Sequence, residues 1–402
     1  MSLDLTKITQ AVGHMVAQLK AGRQEKQRHL QYALNVIGNQ AIDLEPLKRK
    51  IALSKTSWLV AGLVDGLGQR YKAPAAPDEF TILASDGSHI DVDRHRSTRC
   101  YLINIGSAHL DYGASPNATL NSHPRLYSAD EDLVMTPVAG GRQQPVEGAL
   151  LGIKRSVEEC RHLTGMAAEL PSDRPALALL DGSLILWGLA SLDYPEFVVS
   201  ALLDKGFLNS LEQMKGISQD KNLAMASYIS FPGSTDVINA LRLAICPHDP
   251  VDCDHYCSEI PSGKRECDAV AGIQDRELFL GFLGPGERSA LFTSSSSIVR
   301  KRYAGHQVYF FYLKLDDEVA RAELPQWVAL DNDRLELAHA LILDQCRRGH
   351  GYPVALSEAH EQAVITGADR ESFRQLVELS LAEEQLPTLA SAKSRRKRTR
   401  WV

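Results

Sequence analysis

The segments ILASDGS (residues 82–88) and LALLDGS (residues 177–183) provide the strongest indication of the fold. Each is an apolar run of strand length that stops at an aspartate, Asp86 in the first and Asp181 in the second. Such runs are typical of buried parallel strands, so both carboxylates are expected at the carboxyl ends of neighbouring strands. Asp-Gly also marks turns and serine also caps helices, which explains either copy alone. Because the motif repeats, we predict that the two aspartates form a divalent-metal site.

Two helices supply further candidate ligands. Between the motifs, apolar side chains recur at helical intervals, at Val146, Leu150, Ile153, Val157 and Cys160. Glu158 and Glu159 lie near the end of this helix. A solvated helix face with ion pairs four residues apart explains Glu159, so Glu158 is the better candidate, although either remains open. Residues 351–361 place His360 at the start of a later helix, where an exposed histidine without a role is the alternative.

Three segments in this order resemble the NurA family of DNA-end-processing nucleases. The resemblance rests on the first Asp-Gly-Ser motif, on LDGSL at residues 180–184 after a helix glutamate, and on YPVALSEAH at residues 352–360. It extends over roughly residues 80–375. It implies an α/β fold with an RNase H-like mixed sheet flanked by helices, related to Piwi-type nucleases.

The resemblance also implies a site and an activity. By it, the metal ligands are Asp86, Glu158, Asp181 and His360. The implied enzyme is a manganese- or magnesium-dependent deoxyribonuclease with two ions, of the 5′–3′ exonuclease and single-strand endonuclease type. It processes DNA ends in double-strand break repair, as a homodimer, with a HerA-type hexameric ATPase as translocase. Paired metals about 4 Å apart suit phosphodiester hydrolysis because one activates a water and the other stabilises the leaving oxygen.

Two alternatives to this function remain open. One is a noncatalytic DNA-binding adaptor or regulator of a DNA translocase, and the other is a different RNase H-like activity, such as junction or RNA cleavage. Convergent carboxylates favour an enzyme, because an adaptor has no physical need for them. The glycine- and serine-rich residues 284–297 lack the Gly-Lys-Ser/Thr ending of a P-loop, so ATP hydrolysis is expected from the partner.

Composition agrees with an enzyme free of the membrane. The chain has 402 residues, 44% of them hydrophobic, enough for one large domain or two smaller ones. Nothing at the start resembles a signal peptide, and the longest apolar stretch, residues 175–192, is interrupted by Asp181. A cytoplasmic location is therefore predicted. The net charge of −6 favours a nucleic-acid partner only if basic residues are concentrated.

Basic residues are concentrated at the carboxyl terminus. The tail, residues 386–402, is predicted to be disordered, and its candidate DNA-binding residues are Arg395, Arg396, Lys397, Arg398 and, for stacking on a base, Trp401. A solubilising tail explains the same composition. Further candidates for phosphate contact follow the first motif at Arg94, Arg96 and Arg99, where a half-exposed hairpin would carry the same charges.

The remaining chain is predicted as an alternation of helices and strands. Residues 1–73 are expected to form a helical N-terminal arm, with helical periodicity continuing through residues 58–67. The arm packs on its own core, on a second subunit or on a translocase. A continuous nuclease domain is expected over residues 78–385. Its predicted strands and loops are strands at 80–85, 99–106, 223–231, 288–299 and 306–315, and a polar loop at 107–145.

Four of the seven cysteines cluster in a predicted insertion at about residues 246–267. They are Cys246, Cys253, Cys257 and Cys267. An odd number of cysteines without a secretion signal argues against a disulfide framework. Four soft ligands within one loop suit a structural zinc ion or an iron–sulfur cluster, although the spacing lacks paired Cys-x-x-Cys motifs. A loop with reduced thiols is the alternative.

Overall fold

The computed structural model describes residues 4–38, 43–92, 99–138, 140–172, 174–191, 193–261 and 263–386. Its strands are β1 Gly62–Leu63, β2 Arg70–Lys72, β3 Phe80–Ile90, β4 Tyr101–Tyr112, β5 Asn117–Tyr127, β6 Val134–Met135, β7 Gln144–Pro145, β8 Ala176–Asp181, β9 Leu223–Ile229, β10 Glu287–Ser289, β11 Phe292–Thr293, β12 Val308–Lys314 and β13 Val319–Pro325.

The α-helices are α1 Thr6–Ile37, α2 Leu44–Leu53, α3 Asp130–Leu133, α4 Ala149–Ala168, α5 Trp187–Ser191, α6 Glu196–Val199, α7 Asn209–Asp220, α8 Asp236–Ile245, α9 Cys253–Cys257, α10 Asp275–Phe282, α11 Ser297–Arg302, α12 Gln326–Ala329, α13 Asn332–Arg348, α14 Val354–Ala363 and α15 Gly367–Glu383. A π-helical segment, Ser200–Leu208, joins α6 to α7, and Glu266–Val270 is a 3₁₀ turn. Within the described ranges, no helix combines the length and apolarity needed to span a bilayer.

The chain divides into two compact units. Unit 1 comprises residues 1–73, 229–296 and 309–322, and unit 2 comprises residues 74–228, 297–308 and 323–402. The N-terminal helices therefore group with segments from the middle of the chain, which differs from the boundaries drawn from the sequence.

Unit 1 is built around short antiparallel strands covered by helices. Strand β11 pairs with β1 on one side and with β12 on the other, and β10 pairs with β2 and β12. The aromatic side chains of Phe279, Phe292 and Tyr312 are buried in its core. Only the end of α1 joins that core, through Ala33 and Ile37, while its first 22 residues are exposed. The N-terminal arm thus packs partly on its own unit.

Unit 2 contains a five-stranded mixed sheet in the order β9-β8-β3-β4-β5. In this sheet the consecutive strands β3, β4 and β5 are antiparallel neighbours. Strands β8 and β9 are added in parallel on the other side of β3. Parallel addition requires a crossover, which α4 provides between β3 and β8. This arrangement confirms the predicted RNase H-like α/β fold.

Two glycines allow helices to pack closely on the two faces of this sheet. A Cβ on Gly106 of β4 would lie 2.1 Å from the Ala359 carbonyl oxygen of α14. A Cβ on Gly87 of β3 would lie 2.6 Å from Glu159 Oε1 of α4. Gly106 pairs with Asp86, and successive strand residues point to opposite faces, so α14 and α4 cover opposite faces. Both helices consequently approach the sheet at Asp86.

Several predicted elements differ from the structure. Strand β3 continues past Asp86 to Ile90, so this aspartate lies within a strand instead of at its end. The predicted polar loop at 107–145 contains β5, whose side chains are exposed and which pairs with β4 along its whole length. An edge strand held by backbone hydrogen bonds needs no apolar alternation, which is why the pattern gave no signal.

Other differences concern short elements. Residues 58–67 are not helical and contain β1, while the predicted strand at 288–299 is two short strands followed by the start of α11. Strand β13 was not predicted, because its apolar positions are interrupted by Arg321 and Glu323, both buried.

Candidate active site

The first motif places Asp86 beside the second strand of the site. Ser85 pairs with Leu180 across the parallel strands β3 and β8, so Asp86 and Asp181 occupy adjacent positions one residue further along. Asp181 is the last residue of β8. After it, Gly182 has φ +82°, a left-handed conformation that favours glycine, and the chain turns away from the sheet. The prediction that the two motifs lie side by side agrees with this register.

His360 reaches Asp86 from α14. Its Nδ1 lies 2.7 Å from Asp86 Oδ2, while Asp86 Oδ1 accepts the Gly87 amide at 2.7 Å. The histidine ring is largely exposed. A neutral ring that donates from Nδ1 leaves Nε2 free as an acceptor, which is the usual arrangement of a histidine that binds a metal and is oriented by a carboxylate.

A hydrogen bond from the serine of the first motif holds the end of α14 against the sheet. Ser88 Oγ donates to the Ala363 carbonyl, and Asn104 Nδ2 donates to the carbonyls of Gln362 and Ala363, each at 3.0 Å. These donors satisfy carbonyls that a helix terminus leaves unpaired. Ser88 therefore holds the helix that carries His360.

The serine of the second motif is held by a buried acid. Glu323 of β13 accepts hydrogen bonds from Ser183 Oγ at 2.8 Å and from the Leu184 amide at 2.9 Å. Its side chain is 1% exposed. An acid inside a mostly apolar strand is the sequence signal for this role.

Tyr352 connects the C-terminal motif to the second aspartate. Its hydroxyl donates to Asp181 Oδ1 at 3.1 Å, and its ring packs edge-on against Tyr228 with centroids 5.5 Å apart. Desolvation raises the pKa of Asp181, the Tyr352 hydrogen bond opposes this shift, and the negative charge of Asp86 adds to it. The Tyr-Pro motif thus positions Asp181 as well as the start of α14.

The adjacent glutamates of α4 point to different places. Glu159 is buried beneath Gly87, and burial raises its pKa to about 8, with Arg155 opposing and Asp86 and Asp181 adding to the shift. Arg155 Nε lies 2.9 Å from Glu159 Oε1, but the pair does not have hydrogen-bond geometry. Glu159 Oε1 is therefore ion-paired with Arg155 beneath Gly87 and makes no hydrogen bond.

Glu158 lies elsewhere and does not join this group. It forms an ion pair with Arg161 at 2.6 Å and lines a cavity of about 960 Å³ between α4 and the strands β4 and β5. Of the two adjacent glutamates, Glu159 and not Glu158 packs against Gly87 of β3. Asp86, Asp181 and His360 thus come together on one face of the sheet, and Glu159 lies beneath Gly87 on the other face, near enough for both aspartates to raise its pKa.

This donor set fits a hard divalent cation. Carboxylate oxygens and an imidazole nitrogen are its usual protein ligands, and clustered carboxylates that raise one another's pKa are relieved by a cation. Among the described residues, however, no three His, Cys, Asp or Glu side chains are already arranged as a formed metal site. The group is thus a suitable set of ligands whose final positions would be fixed by the ion.

Of the residues predicted to contact DNA, the structure describes only Arg99. Arg94, Arg96 and the tail residues Arg395, Arg396, Lys397, Arg398 and Trp401 lie outside the described residues. Arg99 is described and exposed, just before β4. The cysteine cluster lies in unit 1, and its four members are free thiols.

Comparison with known proteins gives one family, and the similar solved structures include a nuclease and a Piwi protein. Residues 80–365 match the NurA domain. The crystal structure of the NurA nuclease from Sulfolobus solfataricus is similar over 93% of this chain and 98% of that chain, with 12% identity and a TM-score of 0.47. Drosophila Piwi is similar over 70% of this chain and 29% of that chain, with 11% identity and a TM-score of 0.26. No protein of curated function matches this chain.

Proposed function

Because the chain belongs to the NurA domain family, we propose that it is a metal-dependent deoxyribonuclease with its catalytic centre at Asp86, Glu159, Asp181 and His360. The observation that carries this proposal is the adjacent position of Asp86 and Asp181 on β3 and β8, with His360 bonded to the first. The proposed nuclease domain extends over residues 78–385.

The proposed ligands have distinct tasks. Asp86 and Asp181 would hold manganese or magnesium from the sheet, Glu159 from α4 and His360 from α14, and two ions fit the number of donors. A bound divalent ion supplies a hydroxide-generating Lewis acid and neutralises charge on the phosphate. Asp86 orients the His360 ring through Nδ1, and Tyr352 holds the Asp181 carboxylate. These hydrogen bonds orient the His360 ring and the Asp181 carboxylate before DNA binds, which limits reorganisation during cleavage.

The test is cleavage of end-labelled single- and double-stranded DNA with manganese, magnesium or a chelator. Wild-type protein is expected to degrade DNA only with metal, and Asp181→Asn is expected to abolish cleavage while retaining the fold. An exposed carboxylate on the same unit, Asp220, provides the matched control Asp220→Asn, which should cleave normally. Metal-dependent cleavage that survives in Asp181→Asn would refute the proposed centre.

The adaptor function is tested by the same experiment. An adaptor would bind DNA without cutting it under any metal condition, alone or with the translocase. We favour the nuclease because Asp86 and Asp181 lie side by side, and a bound cation relieves the repulsion between adjacent carboxylates.

Finer features of the proposal follow from the family resemblance. We propose a homodimer that processes DNA ends in break repair, with 5′–3′ exonuclease and single-strand endonuclease activity, next to a HerA-type hexameric translocase. Light scattering measures the dimer, and ATP-dependent stimulation of cleavage by the translocase measures the partnership. Removal of residues 386–402 tests the basic tail, since loss of phosphate contacts weakens DNA binding and flattens its salt dependence.

A further inference from the structure

Four cysteines of unit 1 form a second group of potential ligands, separate from the carboxylates. Cys246 directly follows α8, Cys253 and Cys257 are the first and last residues of α9, and Cys267 lies in the 3₁₀ turn. No disulfide joins them, and all four thiols are free. From these positions we propose that Cys246, Cys253, Cys257 and Cys267 form a tetrathiolate site for a soft metal, either a zinc ion or an iron–sulfur cluster.

The geometry of α8 brings two of these thiols to one place. Arg242 lies in the last turn of α8, and Cys246 caps the end of that turn. Arg242 Nη2 is 3.7 Å from Cys267 Sγ and 3.2 Å from Asp268 Oδ1. The 3₁₀ turn is thus held against the face of α8 that ends at Cys246.

Residues around Cys267 form an ordered support. Asp268 accepts the amides of Gly263 at 2.8 Å and Arg265 at 3.2 Å, which closes the turn that carries the cysteine. The Arg242 guanidinium stacks on the Trp58 ring with its central carbon 4.5 Å from the centroid.

The short helix α9 presents the other two thiols. Cys253 and Cys257 are four residues apart, so both side chains lie on one face. Asp252 caps this helix by accepting the His255 amide at 3.0 Å, and Cys253 packs against the core of unit 1. Cys246, which follows α8, packs against the same core.

The chemistry selects a soft metal. Four sulfur ligands in a tetrahedral arrangement suit zinc or an iron–sulfur cluster, while magnesium and manganese prefer oxygen. In the part of the chain that the structure describes, no three ligands already converge as a formed site. Binding would therefore draw the thiols of α9 and the 3₁₀ turn toward one centre, so the metal would stabilise this segment of unit 1.

The test uses full-length protein produced with zinc and iron in the medium and purified anaerobically without chelator. Elemental analysis is expected to give about one zinc ion per chain, or a cluster's iron together with visible absorbance. Cys253→Ser and Cys257→Ser are expected to lose at least about nine-tenths of that metal, since removal of one thiolate opens the site. Cys100→Ser, a cysteine of unit 2, is the matched control and should keep it.

Two further measurements separate this site from the carboxylates and from misfolding. The double variant Asp86→Asn, Asp181→Asn should keep the soft metal, and DNA cleavage plays no part in the readout. If the serine variants do not fold, thiol modification of native wild-type protein should release the metal into a chromogenic chelator. Wild-type protein without zinc and iron overturns the proposal, as does metal that survives in Cys253→Ser or after thiol modification.

Discussion

Replacement of Gly106 by alanine should disrupt the candidate site without changing any of its polar groups. An added Cβ would lie 2.1 Å from the Ala359 carbonyl oxygen and 2.4 Å from the Ala363 amide nitrogen. Both are backbone atoms of α14, so no side-chain rotation relieves the overlap. Ordinary contact begins at 3.4 Å, and the helix must therefore move away by roughly 1.3 Å.

This displacement should lower the stability of the folded protein and reduce the rate of DNA cleavage. Forced overpacking of this kind costs about 1–3 kcal/mol. His360 moves with α14 away from Asp86, whose Oδ2 it contacts at 2.7 Å. Because misplacement of a reacting group by about 1 Å can cost ~100-fold in rate, we expect cleavage to fall by about that factor.

The assay is single-turnover cleavage of end-labelled DNA, with thermal unfolding measured on the same samples. Gly152→Ala on α4 is the matched control, because no atom lies within 4 Å of its added Cβ. It should cleave normally and be more stable by about 0.5–1 kcal/mol, as alanine favours helix. If Gly106→Ala equals Gly152→Ala in both rate and stability, the close packing of α14 does not position His360 and the reasoning is refuted.

Three other predictions concern single side chains. Glu159→Gln is expected to lower metal-dependent cleavage at least ~100-fold, whereas Glu158→Gln should stay within about threefold, because only Glu159 packs against β3 next to Asp86; equal losses would contradict the assignment. Tyr352→Phe removes one hydrogen bond to Asp181, worth about 1 kcal/mol, so the cleavage rate should fall about fivefold. The acidic limb of the pH–rate profile should also move to higher pH, because this hydrogen bond lowers the pKa of Asp181. An unchanged pH–rate profile would exclude this contact. Burial, then the neighbouring Asp236, raises the pKa of Asp275 to about 7 from 3.8. The folded protein therefore holds a proton that the unfolded chain loses above pH 3.8, so stability should fall as pH rises to about 7 and then level. Thermal unfolding across this range should show a flatter dependence in Asp275→Asn, and an identical slope would exclude Asp275 as the cause.

The sequence by itself determined the elements that carry the two aspartates. Apolar runs that stop at Asp-Gly are decided by local burial and turn preference, and β8 ends at Asp181 as predicted. Their side-by-side position was also predicted from the sequence, since apolar runs of this composition are typical of buried parallel strands. The helical period likewise predicted α4 and α14, because each buries one apolar face.

Tertiary structure decided the features that hydrophobic periodicity does not distinguish. Glu158 and Glu159 lie at similar angles on opposite sides of the apolar stripe of α4, so the sequence pattern cannot distinguish them. The choice depends on which side of α4 packs on β3, where Gly87 leaves room for Glu159. Strand β5 also has no apolar signal, because it forms through backbone pairing with β4. Glu323 and Gly106 acquire their roles only from partners distant in the chain, the Asp181 turn and α14, and no local pattern encodes such contacts.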